Sequence, residues 1–297
     1  MAPAPVVRLP NPGWDSRILA FQVERLVTVY GVVITNYVVL IDTLFSPSAL
    51  TPVLDALRAR AEPDRQLLAV NTHAHWDHAW GNCAFVGPNA LWPAPIIGHR
   101  RGPDQLLRNG ARAELSRKQT EDASTFAGVR LQPATILIEH ETVLDGGDLH
   151  LVLLPTPGHE PDHLAVFIPE LRTLFTGDAA EWPLPFVPNP ADMRAFRASL
   201  RRMIALDPVV VLYAHAPGRT DASVLRANQM YFDDLEQRVR ASTSFNQRRD
   251  LDPAVVLSYP FDTVLGAAAL DSEERTFYLE AHRAAIRAMI DHVESTG

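Results

Sequence analysis

Residues 66–70 form a short apolar run that leads through Asn71-Thr into His73-Ala-His75-Trp-Asp77-His78, and this junction constrains the chain more than any other stretch. Three imidazoles and a carboxylate fall within six residues. These are the donors that suit zinc and similar divalent ions. In an extended segment, residues i and i+2 point to the same side, so His73 and His75 can grip one ion. The turn that follows can aim Asp77 and His78 at a second.

Three more donors close apolar segments further along: His159 in Thr156-Pro-Gly-His159, Asp178 in Phe175-Thr-Gly-Asp178, and His215 in Leu212-Tyr-Ala-His215. A chance patch of surface histidines would not recur at the ends of separate strands. Loops at strand ends are where a rigid scaffold presents functional groups.

The remaining pattern is layered α/β. Residues 18–30 and 31–44 read as strands with Gly31 between them, followed by a helix from about 49 to 60. Ser48 or Thr51 is the expected cap, with Pro52 in the first turn and Leu50, Val53, Leu54 and Leu57 on the buried face. Residues 100–125 read as polar helix. Strands are expected at 149–154, 164–168, 172–175 and 209–213, and amphipathic helices at 191–206 and 221–241. Residues 242–262 look like a connection. The last helix starts at Asp271, where Glu274 completes a capping-box-like pair.

A chain of 297 residues makes one large domain or two small ones. We expect residues 1–241 to form the main domain and residues 242–297 to be a connection and helix packed on it. With 27 basic and 35 acidic residues the net charge is −8, which disfavours nucleic acid as a partner. Lys118 is the only lysine, a bias that reads as composition rather than chemistry. The single cysteine, Cys83, rules out an intrachain disulfide. No secretory leader and no apolar stretch of membrane-spanning length is evident, so the expectation is a cytoplasmic protein without a membrane partner. The expected partners are a small-molecule substrate and, at most, a second copy as a homodimer.

With these motifs in this order, residues 18–240 resemble the metallo-β-lactamase superfamily. The resemblance implies a four-layer αββα sandwich of two pseudo-symmetric halves. It also implies a ligand set: His73, His75 and His159 for one ion, Asp77, His78 and His215 for a second, and Asp178 bridging both. The cofactors would be two divalent metal ions, zinc first, with manganese or iron as substitutes. The activity implied is hydrolysis through a metal-bridging hydroxide, with Asp77 as ligand and catalytic proton carrier. Asp42, at the end of the apolar run 38–41, matches the family's buried strand-end aspartate and reads as support.

Departures from the subfamilies narrow the activity. Asp178 stands where β-lactam-hydrolysing members have Cys or Ser. Glu181 stands where many lactonases have Tyr. The glutathione-recognising residues of glyoxalase II-like members have no match here. The expectation is therefore a hydrolase of a small carboxylic ester, lactone or thioester. The alternatives are a mononuclear-iron oxidoreductase resembling persulfide dioxygenases and a phosphodiesterase on the same fold.

Trp76, Glu181, Trp182, Phe186, Tyr278 and His282 are the substrate-pocket candidates. Trp76, Trp182 and Phe186 would form an apolar wall. For His282 the simpler expectation is a packed core histidine. His163 reads as packing beside the ligands, and Cys83 as a buried thiol. Residues 100–118 carry six cations against Asp104 and Glu114, a local excess of 6 − 2 = +4. This reads first as a solvated helix face and second as a holder for an anionic group.

Overall fold

The computed structural model describes residues 5–187, 193–242, 252–266 and 268–296. The chain divides into two compact units, residues 1–155 with 162–177, and residues 156–161 with 178–297.

In the first unit one sheet runs in chain order: β1 (Val6–Arg8), β2 (Ile18–Val23), β3 (Val27–Val33), β4 (Tyr37–Ile41), β5 (Gln66–Val70), β6 (Ile96–His99) and β7 (Ile136–Ile138). Strands β1 to β4 are antiparallel neighbours, and β4 to β7 are parallel. Every residue of β3 is buried. Such a strand needs a continuous apolar run rather than an alternating one. A second sheet contains β8 (Thr142–Asp145), β9 (His150–Pro155), β10 (Leu164–Ile168) and β11 (Thr173–Phe175), each antiparallel to the next.

The break expected at Gly31 is absent. Gly31 sits inside β3, paired with Leu19 and Leu40. A Cβ there would lie 2.3 Å from Leu57 Cδ2, so the glycine admits the helix rather than ending the strand. The turn falls instead at residues 24–26, where Glu24 takes a φ of 47°. The helix is Pro47–Arg58, and its cap is Ser46, whose Oγ accepts from Ala49 N at 3.3 Å. It starts earlier than expected because Pro47, not Pro52, takes the first-turn position. Leu50, Val53, Leu54 and Leu57 are buried as expected, and each contributes roughly 1.5–3 kcal/mol.

The second unit holds β12 (Val210–Leu212) and the helices Met193–Ala205, Ser223–Ala241 and Ser272–Thr296. The last of these packs on the other two. Its start is the expected reciprocal pair. Asp271 Oδ1 accepts from Glu274 N at 2.9 Å, and Asp271 N donates to Glu274 Oε2 at 3.0 Å.

Of the connection expected at 242–262, residues 243–251 lie outside the described residues. The remainder is partly helical, with short helices at Pro253–Val256 and Phe261–Leu265. Asp252 caps the first of these by accepting from Ala254 N at 3.0 Å. Among the described residues no helix is long and apolar enough to cross a membrane.

Candidate metal centre

In the first unit, the parallel register Ile41↔Val70 brings the carboxyl ends of β4 and β5 level. Asp42 leaves β4 in the left-handed region, φ 64°, and its N–H donates to Val70 O at 2.8 Å. Its buried carboxylate then serves two neighbours. Oδ1 accepts from Thr72 N at 2.7 Å, and Oδ2 faces His78 Nδ1 at 2.8 Å. An acceptor on that side puts the ring proton on Nδ1 and leaves Nε2 as the donor for an ion.

Thr72 repeats this logic for His73. Its hydroxyl donates to the Asp42 carboxylate and lies 3.1 Å from His73 Nδ1, so it accepts from that nitrogen and places the ring's lone pair on Nε2. The His73 ring centroid lies 4.5 Å from that of His75 and 4.2 Å from that of His78. Asp77 Oδ2 lies 3.5 Å from His78 Nε2.

The loop carrying these groups is pinned from behind. Thr43 N and Thr43 Oγ1 both donate to His78 O. Asn71 and Asn82 exchange side-chain amide bonds of 2.8 and 3.0 Å. His163 is fully buried and its ring stacks on His73 at 5.2 Å. Cys83 is buried, and burial pushes its thiol up, so it makes a poor nucleophile.

In the second unit, His159 follows Gly158, which takes a φ of 148°. A Cβ on that glycine would stand 2.2 Å from Phe196 Cα. His159 Nδ1 lies 3.1 Å from Phe186 O, a carbonyl that can only accept, so the ring proton sits on Nδ1 and the lone pair on Nε2. Asp178 Oδ2 lies 3.5 Å from His159 Nε2, and its Oδ1 lies 3.3 Å from His215 Nε2. One carboxylate thus faces two imidazoles with separate oxygens. Trp182 N donates to His215 O at 3.1 Å, which ties the segment after Asp178 to the third donor of this unit.

Each unit thus gathers its own donors: His73, His75, Asp77 and His78 in the first, and His159, Asp178 and His215 in the second. The donor chemistry fits a pair of divalent ions. Imidazole and carboxylate suit zinc, manganese and iron(II), and in His73, His78 and His159 the hydrogen bond at Nδ1 places the ring's lone pair on Nε2.

The pocket candidates are placed as follows. Trp76 lies in the first unit among Phe45, Trp80 and Phe126, with centroids 5.7, 6.4 and 6.3 Å away. Trp182 lies in the second unit under the Arg219 guanidinium, 4.5 Å from its ring centroid. Glu181 is buried, with its backbone clamped by Asn228 in two bonds of 2.9 Å and Oε1 3.6 Å from His159 Nδ1. Tyr278 is 9% exposed. Burial, and then the negative charges of Glu181, Asp178 and Glu274, push its phenol well above the usual range.

His282 is buried in the helical layer. Its Nε2 donates to Tyr259 O at 2.8 Å, and its Nδ1 accepts from Tyr231 Oη at 2.8 Å. Phe186 meets a residue that sequence reading did not single out. Phe277 is 46% exposed, with its ring centroid 5.2 Å from that of Phe186.

A sequence profile of the metallo-beta-lactamase superfamily matches residues 23–215. The chain belongs to that superfamily. It is 35% identical over 89 residues to the metallo-beta-lactamase fold-containing protein ST1585 of Sulfurisphaera tokodaii, covering 28% of this chain and 33% of that one. It is 32% identical over 133 residues to a hydroxyacylglutathione hydrolase of Synechococcus sp., covering 44% and 41%. The matched segments thus span well under half the length of these curated relatives. The metallo-beta-lactamase family protein TTHA1429 from Thermus thermophilus shares the fold, with a TM-score of 0.58 at 20% identity over 98% of this chain and 92% of that one.

Proposed function

We propose that the protein is a metal-dependent hydrolase that cleaves an activated carbonyl in a small molecule: a carboxylic ester, lactone or thioester. The observation that carries this is the His/Asp donor set that each unit gathers, with Asp178 offering one oxygen to His159 and the other to His215. His73, His75 and His159 would hold one ion, Asp77, His78 and His215 the other, and Asp178 both. Zinc is the first expectation. When bound, such a pair lowers the pKa of water and polarises a carbonyl oxygen.

The chain's own groups do the rest. Asp42 and Thr72 hold His78 and His73 with Nε2 forward. Asp77 carries a proton between the attacking water and the leaving group. The Synechococcus relative's name, hydroxyacylglutathione hydrolase, supports including thioesters.

The test is a panel of esters, lactones, thioesters and phosphodiesters, assayed with metal content measured on the same sample. Acyl hydrolysis ahead of phosphodiester cleavage is expected, with two ions per chain. One iron per chain, with oxygen consumed on a persulfide, would replace this reading by the dioxygenase one.

A further inference from the structure

Lys118 is the only lysine among 27 basic residues, the other 26 being arginine. Its position is as unusual as its identity. It lies on the helix Asn109–Glu121, where Glu114 stands one turn earlier. Glu followed by Lys four residues on is the favoured helical ion pair. Neighbours on this surface pair in the ordinary way, Arg117 with Glu121 and Arg100 with Glu139. Lys118 does not. Among the described residues its ammonium forms no ion pair and no hydrogen bond. It lies instead over the Trp76 ring, 3.5 Å from the centroid, with the Phe126 centroid at 5.5 Å.

Trp76 is the residue immediately before Asp77. The ammonium is half-buried there, and the charges it feels include Asp77 as well as Glu114, Glu121 and Arg117. An aromatic face attracts the charge but does not satisfy three N–H donors. The site is therefore a cation held beside the loop of candidate donors, with no protein acceptor for its N–H groups among the described residues.

We propose that Lys118 is the anion-recognition residue of this site, binding a carboxylate that the substrate carries in addition to its scissile acyl group. This rests on the acyl-hydrolase reading above. A lysine suits the task because it is a compact point charge on a flexible stem that can leave the ring and meet the anion. The rest of the basic segment is the solvated helix face that its composition suggests.

The test uses the metal-loaded protein and matched pairs of esters, each pair differing only in a free carboxylate against its carboxamide. Wild type should prefer the carboxylated member. Lys118→Met, which still packs on Trp76, should raise KM for that member at least tenfold with kcat little changed, and leave the carboxamide unaffected. Lys118→Arg should restore part of the preference. No preference in wild type, or equal losses on both members in Lys118→Met, would overturn the proposal while leaving the hydrolase reading intact.

If no ester is turned over, the hydrolase reading fails, and a second measurement still decides on Lys118. As the sole lysine, its acetylation can be followed by peptide mass spectrometry. Glutarate should slow that labelling relative to glutaramide, and equal rates would overturn the proposal.

Discussion

Asp42 Oδ2 stands 2.8 Å from His78 Nδ1, both groups buried, and this contact decides which nitrogen of His78 can meet an ion. Removing such a carboxylate typically weakens metal binding by about 10–100-fold. Asp42→Asn keeps the shape and tolerates the left-handed backbone, but it turns an amide or a weaker acceptor toward the imidazole. We expect the weaker of two zinc equivalents to be lost at least tenfold more readily in chelator competition. Unchanged affinity for both would remove Asp42 from the account.

Gly158 sets up His159 through backbone alone. A side chain at φ 148° is strained, and its Cβ would collide with Phe196 Cα. Gly158→Ala should cost about 1–3 kcal/mol or more, read as a lower urea midpoint at unchanged slope. A midpoint equal to wild type would contradict the packing described.

His282 provides a pH signature. Burial lowers its pKa below the ordinary 6.5. As pH falls through about 6.5, the unfolded chain takes up a proton that the native ring refuses. This group therefore costs the native state stability on the acid side and nothing above neutrality. His282→Phe should destabilise by about 1–3 kcal/mol at pH 7, because Tyr231 Oη and Tyr259 O lose their partner. The gap to wild type should narrow at pH 5. A gap that widens there would mean the ring is charged when folded.

The candidate donors stood out in the sequence because they follow apolar segments, and strands 66–70 and 164–168 appear where the sequence placed them. What escaped was set by tertiary contact. Gly31 looks like a break but admits Leu57. Strands β6, β7 and β8 are only three or four residues long, too short for a period to register. Phe277 gave no signal, since its meaning lies in Phe186, far away in sequence. Lys118 did give one, as the single lysine, but only the ring of Trp76 explains it.

Asp178 and Asp77 separate binding from chemistry. Asp178→Ala should lose at least one ion and all turnover, since its two oxygens face two histidines. Asp77→Asn should retain the ion held by His73, His75 and His159 while slowing turnover by roughly the 10²–10⁴-fold that a general acid–base contributes. Wild-type rates in both variants, on a substrate the native protein hydrolyses, would show that the reaction runs elsewhere.

The central claim is a two-ion centre, and the most direct measurement is titration of metal-free protein with zinc, followed by elemental analysis after gel filtration. The account predicts two equivalents retained per chain, with hydrolysis of the acyl panel rising as the second is bound. A single retained equivalent that gives full activity, or none at all, would contradict it.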